Sequence, residues 1–169
     1  MWRELPVRTN GATSVCLLSY FAIAGSSPYT SLIERSLAGQ KEALARLLES
    51  QNISPVILSE QANQGRTIIE KFELYSDVGA AIILFTSDDL GCIKGKEALV
   101  PRARQNVIFE AGYFMGKLGR DRVVAIAEDK VEIPSDLQGV VYTGKNDWKL
   151  EVCRELKAMG YFIDFNKLF

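Results

Sequence analysis

Apolar positions along this chain follow two rhythms, one of helical spacing and one of short unbroken runs. "KEALARLLES" (41–50) sets Leu44, Leu47 and Leu48 on one face and charges on the other, which predicts an amphipathic helix ended by Asn52. "SPVIL" (54–58) is a short apolar strand entered through Pro55. "TIIEKFELYSDV" (67–78) is helical, with Thr67 at the N-cap position and Glu70 at capping-box spacing. "GAAIILF" (79–85) is continuously apolar, the pattern of a strand covered on both faces. After the polar stretch "TSDDLGCIKGKEALVPRA", expected to be a long loop, "RQNVIFEAGYFMGKLGR" (104–120) returns to helical spacing. "RVVAIAE" (122–128) and "GVVYT" (139–143) read as further strands, and "DWKLEVCRELKAMG" (147–160) as a closing helix stopped at Gly160.

Strands alternating with helices imply a parallel sheet with helices on both sides. The expected fold class is therefore α/β, one doubly wound flavodoxin-like domain of about five strands in three layers. The first strand has two candidates: the apolar run "VCLLSYFAIAG" (15–25), and "TSLIERSL" (30–37). The first run also fits a secretory leader, because Arg3 and Arg8 precede it and "AIAG" offers a small-residue cleavage pattern.

In such a sheet, ligands bind beyond the carboxyl ends of the strands where strand order reverses, here between the first and third strands. The exit of "AAIILF" and the helix at 104–120 should line that crevice. At ~100° per residue, Val107, Ile108, Ala111, Phe114, Met115 and Leu118 form the stripe that faces the sheet. Glu110 falls at the boundary of that stripe beside Asn106, Tyr113 and Lys117, while Phe109, Gly112 and Gly116 occupy the far side. A carboxylate at such a boundary is either an ordinary helix-edge acid or a partly desolvated group within reach of a ligand. Arg102 and Arg104 beside the helix N-terminus, with Lys94 and Lys96 in the preceding loop, suit a pyrophosphate or form a solvated basic loop. Asp88 and Asp89 could bond ribose hydroxyls or cap the loop. Gly112 and Gly116 admit a close neighbour, helix or subunit, or adjust packing within the chain.

Composition narrows the chemistry. Of 169 residues, 47% are hydrophobic, which is globular, and Lys plus Arg (20) against Asp plus Glu (21) leaves a net charge of −1. That balance gives no bulk attraction to nucleic acid or to an anionic membrane. Histidine is absent, which removes Ser-His-Asp and Cys-His pairs and the commonest zinc ligand, so no metal site is expected. Cys16, Cys92 and Cys153 are scattered without a CxxC and read as buried or inert thiols of a reducing, cytoplasmic compartment. No apolar run approaches the ~18–20 residues of a membrane span.

The segments "EQANQGRTIIEKFELYSDVGAAIILFTSDDLG", "PRARQNVIFEAGYFMGKLGR" and "EIPSDLQGVVY" resemble the TIR-like domains of bacterial cyclic-nucleotide-gated antiphage effectors, including TIR–STING fusions. The resemblance covers about residues 40–169. It implies a flavodoxin-like domain over 41–169, preceded by a segment 1–40 that holds the first strand and does not align cleanly with the family. It further implies NAD⁺ glycohydrolase activity, with NAD⁺ as substrate and no separate cofactor. The family's essential glutamate in "NVIFE" corresponds to Glu110, which would hold the nicotinamide ribose hydroxyls and stabilise the oxocarbenium-like transition state. Arg102, Arg104, Asn106, Asp88, Asp89 and Phe109 are the accompanying candidates for nucleotide binding. The expected partners are further copies of the chain, in oligomers or filaments, and a cyclic-nucleotide sensor on a separate domain or protein. Two other functions stay open: a non-catalytic TIR-type scaffold using the Phe109, Gly112 and Gly116 face, and an enzyme cleaving nucleoside N-glycosidic bonds.

Overall fold

The computed structural model describes residues 14–18, 30–61, 65–95, 97–137, 141–143 and 148–168. Five parallel strands, β1 (Ser14–Leu18), β2 (Ser54–Ile57), β3 (Ala80–Phe85), β6 (Val123–Ala127) and β7 (Val141–Thr143), form one sheet in the order β2-β1-β3-β6-β7. The chain leaves β1 outward to β2 and then crosses back to β3 on β1's other side. The switch point therefore lies between β1 and β3, as the doubly wound reading requires. Four helices cover the sheet: α1 (Thr30–Ser50), α2 (Ile68–Tyr75), α3 (Gln105–Leu118) and α4 (Trp148–Ala158).

Period-two alternation sorts each strand between two cores. Val15, Leu17, Ala80, Ile82, Leu84, Val124 and Ile126 face one side and meet Leu44, Leu47 and Leu48 of α1 and Val152 and Leu156 of α4. Cys16, Ala81, Ile83, Phe85, Val123, Ala125 and Ala127 face the other and meet Phe72 of α2 and Val107, Ala111 and Phe114 of α3. All six residues of β3 are buried, which its unbroken apolar run anticipates.

Local signals hold where they were sharpest. Thr67 caps α2 in a complete capping box, its hydroxyl accepting from Glu70 N at 3.3 Å while Glu70 Oε2 accepts from Thr67 N at 2.7 Å. The turn at Gly160 has φ +95°, and Asn52 closes α1 at φ +59°, both left-handed conformations that Gly and Asn tolerate.

Two expectations change. "TSLIERSL" is not a strand but part of α1, which begins at Thr30, so the first strand is the start of the apolar run, Ser14–Leu18. The remainder of that run and residues 139–140 lie outside the described residues. The stretch 86–103 is not a plain loop, because β4 (Asp89–Gly91) and β5 (Val100–Arg102) pair antiparallel in a hairpin. Its strands are three residues long and expose Leu90 and Val100, too short and too wet to leave an alternating pattern. Of the three thiols, Cys16 and Cys153 are buried and Cys92 is exposed. No helix among the described residues is long and apolar enough to cross a membrane.

Candidate active site

The site begins with small residues. Ala81, Ala125 and Ala127 present a shallow surface on the sheet, and Ala111 answers them from α3, so this helix can settle close to the strands. Val107, Ala111 and Phe114 form the buried stripe, with Ile108, Met115 and Leu118 packed at its margins. Glu110 lies at the edge of this stripe on the side of α2. There Phe72, itself buried, stacks on Phe109 at 6.0 Å and contacts Tyr113 at 5.2 Å and Phe114 at 6.0 Å between ring centroids. These aromatics close over the flank of α3, and Glu110 is left only 6% exposed.

That carboxylate is unusual in three respects. Burial pushes its pKa up from 4.5 to about 7, and the ammonium of Lys71 on α2 acts in the opposite direction. Its Oε2 atom is buried and has no hydrogen-bond partner. An acceptor left so costs ~1–3 kcal/mol, and groups of this kind concentrate at functional sites. Its charge also reaches Cys16 of β1, whose thiol is pushed up to about 12 by burial first and by Glu110 second. Glu110 thus stands above the strand that leads to the switch point, with Cys16 beneath it and Lys71 and Phe72 beside it.

The other candidates gather at the amino end of α3 and divide between two tasks. Arg104 is the N-cap residue, with extended backbone (φ −60°, ψ 147°), and Asn106 is half-buried in the first turn. The Asp88 carboxyl accepts from Thr86 Oγ1 at 2.8 Å. Burial raises its pKa, partly offset by that hydroxyl and by the charge of Arg104. Asp88 and Arg104 therefore share one neighbourhood at the exit of β3. Arg102 instead braces the hairpin: its guanidinium lies across Gly91, where any side chain would collide with it, and pairs with Glu132 at 3.2 Å. Asp89 is exposed on β4, Lys94 is exposed in the hairpin turn, and Lys96 lies outside the described residues. Phe109 is 51% exposed yet leans on Phe72.

Cys16, Lys71 and Phe72 were not singled out as site residues. Alternation along β1 places Cys16 opposite Val15 and Leu17, on the α3 side, and the capping box at Thr67 fixes the turn carrying Lys71 and Phe72. Neither signal says that α2 would bring Lys71 near Glu110 or Phe72 against the rings of α3, because that packing joins two separate helices.

Residues 36–147 match the family model described as CAP12/Pycsar effector protein, TIR domain. A protein of Escherichia coli (strain K12) named YuaY is 45% identical over 130 residues, which is 75% of this chain and 44% of YuaY. The Pycsar effector protein BcPycTIR of Burkholderia cepacia is 33% identical over 117 residues, 62% of this chain and 38% of that protein. The CD-NTase-associated protein 12 of Flavobacterium daejeonense is 40% identical over 74 residues, 44% of this chain and 22% of that protein. The chain thus spans less than half the length of each of these relatives.

Proposed function

The chain belongs to the family of TIR domains of CAP12/Pycsar effector proteins, and from that premise we propose that it is an NAD⁺ glycohydrolase of antiphage defence. The observation that carries this reading is Glu110, a buried carboxylate with one bare oxygen on the helix beside the switch point. In the reaction the bond between ribose C1′ and the pyridinium nitrogen breaks, and its electron pair goes to the ring, which leaves as neutral nicotinamide. C1′ carries the positive character until water adds and a proton is released, giving ADP-ribose. The leaving group needs no general acid, which suits a chain without histidine.

Glu110 supplies negative charge where positive charge develops. At ~4 Å and an effective dielectric near 20 the attraction is up to ~4 kcal/mol, equivalent to ~10³-fold in rate. The aromatic wall of Phe72, Phe109 and Tyr113 keeps water from screening it. Arg104, Asp88 and Asn106 at the exit of β3 suit the phosphates and ribose hydroxyls, with Asp89 and Phe109 at the margin. Arg102 acts mainly through the hairpin that it braces. NAD⁺ serves as substrate with no separate cofactor. In this reading the domain is cytoplasmic, and assembly into oligomers or filaments, driven by a cyclic-nucleotide sensor on a separate domain or protein, brings it to full activity.

Incubation of concentrated protein with NAD⁺, followed by chromatography, tests the reading. Glu110→Gln should release nicotinamide ~10²-fold more slowly or worse while keeping its fold. Equal rates for the two proteins reject the assignment.

One observation favours a second reading. Among the described residues, a side chain added at Gly112 or Gly116 would meet nothing within 4 Å, and Phe109 beside them is half exposed. A scaffold that binds other copies through this face would leave NAD⁺ intact and still form oligomers. Profiling over NADP⁺ and free nucleosides separates NAD⁺ cleavage from other N-glycosidic chemistry.

A further inference from the structure

The β4–β5 hairpin is closed along one edge and open along the other. Pro101 of β5 stands opposite Leu90 of β4 and has no N–H to give, so these two residues pair without mutual hydrogen bonds. Both therefore turn their backbone groups outward. Beyond β5, Pro101 O accepts from Glu132 N at 2.7 Å, which closes that edge. Beyond β4, the N–H and C=O of Leu90 meet no partner among the described residues. The flanking Asp89 and Gly91 direct their backbone groups inward, to Arg102 and Val100. This open edge carries neither Pro nor Lys, the residues that commonly blunt one.

The side chains around this edge fit a copy of the same edge. Leu90, Ile93 and Leu99 are all more than half exposed within one short stretch. On the other face of β4, Asp89 is exposed, and the room that Gly91 leaves is filled by the Arg102 guanidinium. Arg102 pairs with Glu132 at 3.2 Å through one nitrogen, while its Nε has no hydrogen-bond partner among the described residues. A two-fold axis at Leu90 sets Asp89 opposite Gly91 of a second copy, ~5 Å away between β-carbon positions. There the carboxylate meets that copy's Arg102, and the reciprocal pair forms across the axis. The two Leu90 side chains meet at the axis itself. A net charge of −1 on the chain opposes such pairing only weakly.

We propose that the open edge of β4 docks a second copy of this chain, antiparallel, so that two hairpins become one four-stranded sheet. Leu90 of each copy donates its N–H to the Leu90 carbonyl of the other, and Asp89 of each pairs with Arg102 of the other. The contact is isologous, so it closes at two copies and starts no fibre by itself. It belongs to the hairpin and not to the outer face of α3 that bears Gly112 and Gly116. One hairpin edge is small beside a standard interface, so the pair forms at high protein concentration. Nothing in the pairing requires NAD⁺, and it stands or falls apart from the glycohydrolase reading.

Sedimentation of the chain over a concentration series should show a monomer–dimer equilibrium. Leu90→Pro removes the outward N–H and spares the ladder to β5, and Asp89→Lys sets a cation against the guanidinium. Each should raise the dimer Kd about tenfold or more at an unchanged urea midpoint. Register is read by mild oxidation in a Cys92→Ser background, where the remaining thiols, Cys16 and Cys153, are buried. There Leu90→Cys should form a disulfide-linked dimer ~tenfold faster than Ile93→Cys, because paired Cα atoms ~5.5 Å apart lie within disulfide reach. The two positions are 66% and 62% exposed, so random collision gives equal rates. A chain that stays monomeric up to ~1 mM, a Kd that either edge variant leaves unchanged, or equal cross-linking rates overturns the proposal. So does association abolished by Gly116→Glu alone, which places the contact on α3.

Discussion

The two faces of the sheet are built from different materials. On the α1 and α4 side, Val, Leu and Ile from five elements interdigitate, and every large side chain there is aliphatic except at the margins. On the α2 and α3 side, alanines and rings join a smaller set of branched aliphatics such as Ile83 and Val107, and the buried set includes Glu110; each face also buries one cysteine, Cys153 on the first and Cys16 on the second. Branched aliphatics fill volume in well-defined rotamers, which serves stability. Alanines under α3 give up contact area and draw the helix inward, carrying with it an acid that a longer side chain beneath would hold off. One face therefore stabilises the domain, and the other holds a destabilising group in place.

If that division is right, the largest single loss of stability comes from the aliphatic face. Leu48→Ala removes a fully buried side chain and should lower unfolding free energy by ~2–5 kcal/mol in urea titrations. The titration of Glu110, on the other face, should keep its midpoint in this variant. A shifted midpoint would mean that the two cores are not separate.

Next in size is a change of opposite sign. The folded chain holds a proton on Glu110 up to about pH 7, whereas the unfolded chain releases it near 4.5. Between these values the folded state binds more protons than the unfolded, so this group's contribution to stability falls as pH rises. At 1.36 kcal/mol per pKa unit the loss by pH 8 is about 3 kcal/mol. Glu110→Gln does not ionise, so it should match the wild type near pH 4.5 and exceed it by about that amount at pH 8. Equal stabilities at pH 8 would show that the acid is as well solvated as any surface carboxylate. A gain in stability coupled to a loss of nicotinamide release is the signature of a site held against folding.

The sequence made most of this architecture readable, and the reasons are local. Unbroken runs such as "AAIILF" and the 3.6-residue stripe of Val107, Ala111 and Phe114 declare both element type and buried face. The same wheel brought Glu110 to the edge of the buried stripe. It could not bring it inside, because Phe72, which packs on the rings of the same helix beside Glu110, belongs to α2, more than thirty residues earlier. The pairing of Arg102 with Glu132 was hidden for a like reason, since it joins the hairpin to a segment beyond β6. Three-residue strands carry no periodicity, so the hairpin itself was hidden too.

The smallest expected effect tests how the lid over Glu110 is held. Thr67 and Glu70 close a reciprocal cap at the start of α2, with Thr67 Oγ1 also donating to Glu70 Oε2 at 2.8 Å. The helix has eight residues, too few to be stable alone, so its cap and its packing on α3 together keep Phe72 in place. Thr67→Ala should cost ~1 kcal/mol in urea unfolding at pH 7. Hydrogen bonds from Thr67, backbone first and then side chain, hold the Glu70 carboxyl below its ordinary pKa. That contribution is present above the unfolded value of 4.5 and is lost as pH falls through the folded one. The gap between wild type and Thr67→Ala should therefore narrow in acid by the share of the bond between the Thr67 hydroxyl and the Glu70 carboxylate. The part that the hydroxyl contributes by accepting from Glu70 N is left, and a gap that widens at pH 3 would assign the effect to something other than the cap. A frayed α2 also admits water beside Glu110, so its titration midpoint should move down toward the ordinary carboxylate value. If the midpoint stays near 7 while stability drops, α3 and the sheet alone desolvate the acid, and α2 is not the lid.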